Sequence, residues 1–212
     1  DMSSSELAHA TLSLTNVTLF RANKLIFKNL NLNISSGDIC ILNGPNGAGK
    51  TSLLRIIAGY LPISNGMMSL NGHIFEPLKS HLPIWYIGHP FGFHPNLSAA
   101  KNLSQIASMR KLSMFDEDRF NVIDFFQQPI RTLSTGQIQR LALSQLLLKS
   151  NRQKEALWLL DEPNSALDSF HCLALETLIE EHIKFGGRVI VAAHQPLCKH
   201  LSPQIIQLEA KL

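Results

Sequence analysis

The chain has 212 residues, of which 45% are hydrophobic and 17% charged, with a net charge of +3 and a pI near 8.8. That length suits one domain with a sizeable core, and the composition excludes a disordered chain. The charges are scattered without a Lys/Arg cluster, which argues against a nucleic-acid partner. The three cysteines form no C-x-x-C pair, which argues against a disulfide framework or zinc site and fits a reducing, cytosolic compartment. No run of ~18 apolar residues is present to span a bilayer, so membrane association is expected only through partners.

Residues 1–10 open with Asp1-Met2-Ser3-Ser4-Ser5 and lack the charge-then-apolar pattern of a leader, so they are expected to be a disordered lead-in. Residues 11–20 alternate apolar and polar positions, as half-exposed strands do, with Phe20 expected in the core. Residues 26–34 repeat the pattern with Ile26, Leu30, Leu32 and Ile34. A turn at Ser35-Ser36-Gly37-Asp38 leads into a buried strand, Asp38-Ile39-Cys40-Ile41-Leu42, where Cys40 is a small apolar filler.

The segment that follows carries the most information. Gly44-Pro45-Asn46-Gly47-Ala48-Gly49-Lys50-Thr51 fits G-x-x-x-x-G-K-[ST] between a strand and a helix, the setting of a phosphate-binding loop. Glycines let several N–H groups converge on one anion, and the helix adds its positive end. The expected nucleotide contacts are Asn43, Gly44, Pro45, Asn46, Gly47, Ala48, Gly49, Lys50, Thr51 and Ser52. Lys50 reaches the β- and γ-phosphates, and the Thr51 hydroxyl binds Mg²⁺. The loop alone therefore implies ATP or a similar triphosphate together with Mg²⁺.

The helix ends at Gly59. A short hairpin turns at Asn71-Gly72, and 82–87 reads as a buried strand. Three helices are then expected, at 98–111 with Leu103, Ile106 and Met109 on one face, at 116–126, and at 137–149. Strands return at 156–160 and 188–193 around a helix at 169–185, and 205–208 reads as an edge strand. The pattern is α/β, with a sheet core over about 11–89 and 151–212 and a helical insert over about 90–150.

Ala156-Leu157-Trp158-Leu159-Leu160-Asp161-Glu162 is an apolar strand ending in two carboxylates. In a parallel sheet that end faces the ligand crevice. Asp161 is placed to hold Mg²⁺ and Glu162 to polarise the attacking water. Leu133-Ser134-Thr135-Gly136-Gln137 opens the third helix. Ser134 reads as its N-cap, which leaves Gly136 and Gln137 unexplained.

These segments together resemble the ABC-type ATPases. Leu133 to Gln137 is similar to the signature L-S-G-G-Q of that family, with Thr135 in place of one glycine. Asn164-Ser165-Ala166-Leu167-Asp168 resembles its D-loop, and His194 its switch histidine. The resemblance spans about residues 12–208. It implies a P-loop fold with a mixed sheet core, an antiparallel β edge and a helical subdomain. It also implies a homodimer in which Ser134, Gly136 and Gln137 of one copy close over the ATP held by the other. Catalysis then falls to Glu162, His194 and Lys50. Arg21 stands where the family has a tyrosine stacked on adenine. His89 stands where it has a glutamine that senses Mg²⁺, and a water-mediated or partner-facing role is expected for it. Gly88-His89, Thr135 and His194-Gln195 resemble one subfamily, the ATPase subunits of haem exporters in cytochrome c maturation. Those subunits sit on the cytoplasmic face of the inner membrane, bound to integral permease subunits, and drive release of a haem chaperone. Rival readings are an ABC ATPase for another cargo (lipoprotein, metal or amino acid), a soluble ABC protein, and a P-loop kinase or non-hydrolysing structural domain.

Overall fold

Strands and helices follow along the chain in the order β1 (Leu12–Arg21), β2 (Lys24–Ile34), β3 (Ile39–Asn43), α1 (Lys50–Ile57), β4 (Asn65–Leu70), β5 (His73–Ile74), β6 (Ile84–Ile87), α2 (Ala99–Arg110), α3 (Thr135–Ser144), β7 (Leu157–Asp161), α4 (Ser169–Lys184), β8 (Arg188–Ala192) and β9 (Gln204–Gln207). This is a computed structural model, and it describes residues 10–149, 155–194 and 197–209. Most of the expected lead-in, the end of the helical insert at Ser150, Gln195 and the last three residues lie outside the described residues.

The strands sort into two sheets. β2-β1-β4-β5 is antiparallel, and β6-β7-β8-β3-β9 is parallel throughout. This is the expected α/β combination of a parallel core with antiparallel strands. β7 and β8 are buried at every position, as central parallel strands covered on both faces are. Successive side chains point to opposite faces. Trp158, Leu160, Val189 and Val191 therefore enter a core shared with Leu103 of α2, Leu141 of α3 and Leu175 of α4. Leu157, Leu159, Ile190 and Ala192 enter a second core with Leu53 and Ile56 of α1 and with Leu12 and Leu14 of the antiparallel sheet. Truncating one of these leucines to alanine costs about 2–5 kcal/mol.

Four expectations are corrected. The alternation in β1 breaks at Asn16, whose φ is 52°, where the pairing with β2 shifts register. Leu12 and Leu14 face inward before this irregularity and Val17 and Leu19 after it, because an added residue exchanges the faces. Phe20 consequently points outward, 51% exposed. The helix expected at 116–126 is absent; only a 3₁₀ turn forms at Ile123–Phe125. The Asp118 carboxylate takes the N–H groups of Val122 and Ile123, each at 2.9 Å, and Asn121 sits at φ 49°, both incompatible with a helix starting there. α3 stops at Ser144 and gives way to a 3₁₀ turn, Gln145–Leu147. Lys149 then bonds in both directions with Ser113. In α2 the inward face is Ala99, Asn102, Leu103 and Ala107, while Met109 is 85% exposed.

Because the five-stranded sheet is parallel, the loops after β3, β6, β7 and β8 leave from one edge. Ala192 pairs with Leu42 on one side and Asp161 on the other, so the ends of β3, β8 and β7 stand level. Among the described residues, no helix is long and apolar enough to cross a membrane.

Candidate active site

β3 ends at Asn43 and the chain enters the glycine loop. Gly49 caps α1 at φ 98°, and a Cβ there would lie 2.6 Å from Ile26 Cγ2 and 2.9 Å from Phe27 Cδ1. Conformation and space both demand glycine. The first turn of α1 holds no acidic residue, so its positive end meets the loop without a local countercharge. Beside it lies an open cleft of about 600 Å³ lined by Arg21, Ile26, residues 45–52, Asp161, Glu162 and His194. Asn43 and Gly44 underlie this cleft rather than line it. The Asn43 side chain accepts from Gly44 N–H at 3.0 Å and donates to Gln207 at 3.1 Å.

Charged and polar groups from three strand ends meet in the cleft. Lys50 is buried, and its ammonium donates to the carbonyls of Gly44 at 2.7 Å and Pro45 at 3.3 Å. Its Nζ is 3.4 Å from His194 Nε2. The same Nε2 is 3.4 Å from Glu162 Oε1, and the His194 backbone N–H donates to Glu162 Oε2 at 3.3 Å. Glu162 sits at φ 51°, pinned by its N–H to the Ala192 carbonyl at 2.7 Å. That left-handed kink turns its side chain away from the strand direction, towards His194.

Thr51 Oγ1 donates to Asp161 Oδ1 at 3.0 Å. Two hard oxygens this close suit Mg²⁺, which favours oxygen over imidazole nitrogen. Among the described residues, no group of three or more His, Cys, Asp or Glu converges on a metal position. This accords with an ion that takes its other ligands from water and substrate phosphate.

His89 is not brought to that pair. It is exposed and its ring lies against Phe91, with centroids 4.1 Å apart and the planes tilted by 46°. It lines a neighbouring cavity of about 320 Å³ with Arg55, Tyr60, Tyr86, Phe91 and Gln145. Tyr86 instead faces Asp161, and no motif pointed to it. Its one signal was a polar ring in an otherwise apolar strand.

Ser134 and Gln137 form a reciprocal capping box. Gln137 N–H donates to Ser134 Oγ at 3.2 Å, and Ser134 N–H donates to Gln137 Oε1 at 2.8 Å. The S-x-x-Q spacing was a legible sign of this, so capping accounts for Gln137 as well as Ser134. Gly136 has its own cause, since a Cβ there would lie 2.9 Å from the Ala166 carbonyl. None of the three lines the Lys50 cleft of its own chain. α3 is tied instead to the segment after Glu162. Gln139 Nε2 donates to the Pro163 carbonyl at 2.8 Å, while its Oε1 has no partner among the described residues. Arg140 Nη1 lies 3.3 Å from His171 Nε2, and His171 Nδ1 lies 2.8 Å from Asp168. The bond from the His171 backbone lowers the Asp168 carboxyl below its usual range. Cys40 and Cys198 are buried with thiols pushed up to about 12 by desolvation, which leaves them inert.

Known proteins resemble this chain in sequence and fold. Residues 27–165 match the ABC transporter family. The cytochrome c biogenesis ATP-binding export protein CcmA 2 of Cupriavidus metallidurans is 37% identical over 200 residues, 90% of this chain and 92% of its own. A CcmA protein of Vibrio parahaemolyticus is 34% identical over 194 residues, 88% of this chain and 93% of its own. Among solved structures, a dimeric bacterial ABC transporter cassette superposes with a TM-score of 0.74 at 23% identity, covering 93% of this chain and 94% of its own. The chain belongs to the ABC transporter family and is one of its ATP-hydrolysing members.

Proposed function

We propose that the chain is the ATP-hydrolysing subunit of an export complex serving cytochrome c biogenesis. The carrying observation is the convergence of Lys50, Thr51, Asp161, Glu162 and His194 in one cleft. Backbone N–H groups between Asn46 and Ser52 wrap the phosphates, and Lys50 exchanges the carbonyls of Gly44 and Pro45 for the β- and γ-phosphate oxygens. Arg21, at the rim, stacks its guanidinium plane on the base. Thr51 and Asp161 would hold Mg²⁺, which would supply positive charge against the phosphate oxygens. Glu162 polarises the attacking water, and His194 positions that water and the γ-phosphate.

Ser134, Gly136 and Gln137 act on the nucleotide of a second copy. Their position outside their own chain's cleft supports this, as does the dimeric state of the structural relative. Closure excludes water and completes the site. The CcmA relatives, named for cytochrome c biogenesis and ATP-binding export, support the export role; the resemblance to the haem-exporter ATPases extends it to a peripheral place on the cytoplasmic face of the inner membrane, bound to permease subunits, with turnover driving release of a haem chaperone. The cavity beside His89 is the surface offered to those subunits.

The full complex tests this. A tagged chain isolated from membranes should bring down an integral membrane protein, and its ATPase activity should vanish in the Glu162→Gln variant. A chain recovered without a membrane partner, or with the permease of an unrelated cargo, would refute the export assignment while leaving the ATPase intact.

A further inference from the structure

Asp161 carries one hydroxyl on each carboxylate oxygen. Oδ1 accepts from Thr51 at 3.0 Å, and Oδ2 accepts from the Tyr86 hydroxyl at 3.4 Å. Tyr86 belongs to β6, whose other members are Ile84, Trp85 and Ile87. Its ring stands edge-on to Tyr60, with centroids 5.6 Å apart and an angle of 87°. Its oxygen accepts from Arg55 Nε at 3.3 Å, and Arg55 Nη2 reaches the His89 carbonyl at 3.1 Å. Gly88 makes the meeting possible. A Cβ on it would fall 2.7 Å from the Tyr86 hydroxyl and 2.9 Å from Asp161 Cβ.

We infer that Tyr86 is a positioning residue for Asp161, whose hydroxyl holds Oδ2 and so turns Oδ1 towards Thr51. A carboxylate swings freely about its Cβ–Cγ bond until one oxygen is tethered. Partners of this kind fix the orientation of a metal-binding carboxylate. Phenylalanine would fill the same space, so packing gives no reason for the hydroxyl. Arg55 completes the device by holding the oxygen of Tyr86 from the far side and anchoring it to the loop that carries His89.

This rests on the Mg²⁺–ATP reading of the cleft. The test is equilibrium binding of a fluorescent ATP analogue to the full chain, titrated with Mg²⁺ and repeated in EDTA. In Tyr86→Phe the Mg²⁺ concentration at half-saturation should rise about tenfold, with metal-free affinity unchanged. Arg55→Met removes the far-side donor to the Tyr86 oxygen while keeping Tyr86, Gly88 and Asp161, and should shift the midpoint in the same direction; it also serves if Tyr86→Phe fails to fold. A Mg²⁺ midpoint within twofold of the parent in both variants would overturn the inference. So would an equal loss with and without Mg²⁺, which marks packing alone. A parent chain that binds the analogue equally in Mg²⁺ and EDTA would overturn the Mg²⁺ reading itself and this inference with it.

Discussion

Glu162 and His194 face each other from the ends of adjacent parallel strands, with Oε1 3.4 Å from Nε2 and Oε2 accepting the His194 backbone N–H at 3.3 Å. Each therefore orients the other, and Lys50 Nζ completes the row 3.4 Å from the same ring nitrogen. Groups arranged this way act as a unit, and their removal is not additive. Glu162→Gln and His194→Ala should each lower kcat about 10²- to 10⁴-fold, and the double variant should be little worse than the poorer single one. Single-turnover hydrolysis of each variant gives the cycle. Additive losses would show that the two residues act separately.

Lys50→Ala removes the only charged group buried against the loop carbonyls of Gly44 and Pro45 among the bonds described there. A charge-assisted bond to phosphate is worth about 1.5–3 kcal/mol. The variant should bind ATP at least about tenfold more weakly, while a nucleoside lacking phosphates should bind as before. Calorimetric titration with both ligands checks this, and an unchanged ATP affinity would contradict the phosphate-loop role.

Gly49→Ala strains the loop twice, through a φ of 98° and through contact with Ile26 and Phe27. Strain at one such position costs about 1–3 kcal/mol. A drop in melting temperature of several degrees should accompany loss of ATP binding. Gly47→Ala is the control, since a Cβ there meets nothing within 4 Å, although its φ of 82° still imposes strain. Equal melting temperatures for both variants would show that the contact with Ile26 and Phe27 contributes little.

The parallel strands and the glycine loop were legible because local chemistry dictates them. Leu157 to Leu160 is apolar on both faces, and Gly49 precedes lysine at the one place where a helix must start on an anion. The 116–126 segment misled because Phe120, Ile123 and Phe126 keep helical spacing while Asp118 captures the backbone N–H groups a helix would use. Phe20 misled because one left-handed residue, Asn16, exchanged the faces of the strand. Tyr86 and Arg55 could not be read in advance. Tyr86 meets Asp161 only through the packing of β6 on β7, across 75 residues, and Arg55 meets Tyr86 from α1 across 31 residues.

His182 gives the fold an acid sensitivity separate from catalysis. Its ring stacks on Trp158, centroids 3.6 Å apart and 2° from parallel, and Nε2 donates to the Ala156 carbonyl at 2.9 Å. Burial, aided by the nearby Arg188 charge, lowers its pKa from 6.5 to about 4. Above pH 6.5 the ring is neutral in both the folded and unfolded chain, so stability does not change on its account. As pH falls from 6.5 towards 4, the unfolded chain takes up the proton first and folding is weakened. Between pH 7.5 and 5.5 this amounts to about 1 kcal/mol. His182→Phe keeps a ring on Trp158, and the Ala156 carbonyl keeps the Arg188 N–H at 3.1 Å. Urea melts at the two pH values should show the variant losing less stability on acidification than the parent. The same pH slope in both chains would place the acid sensitivity elsewhere.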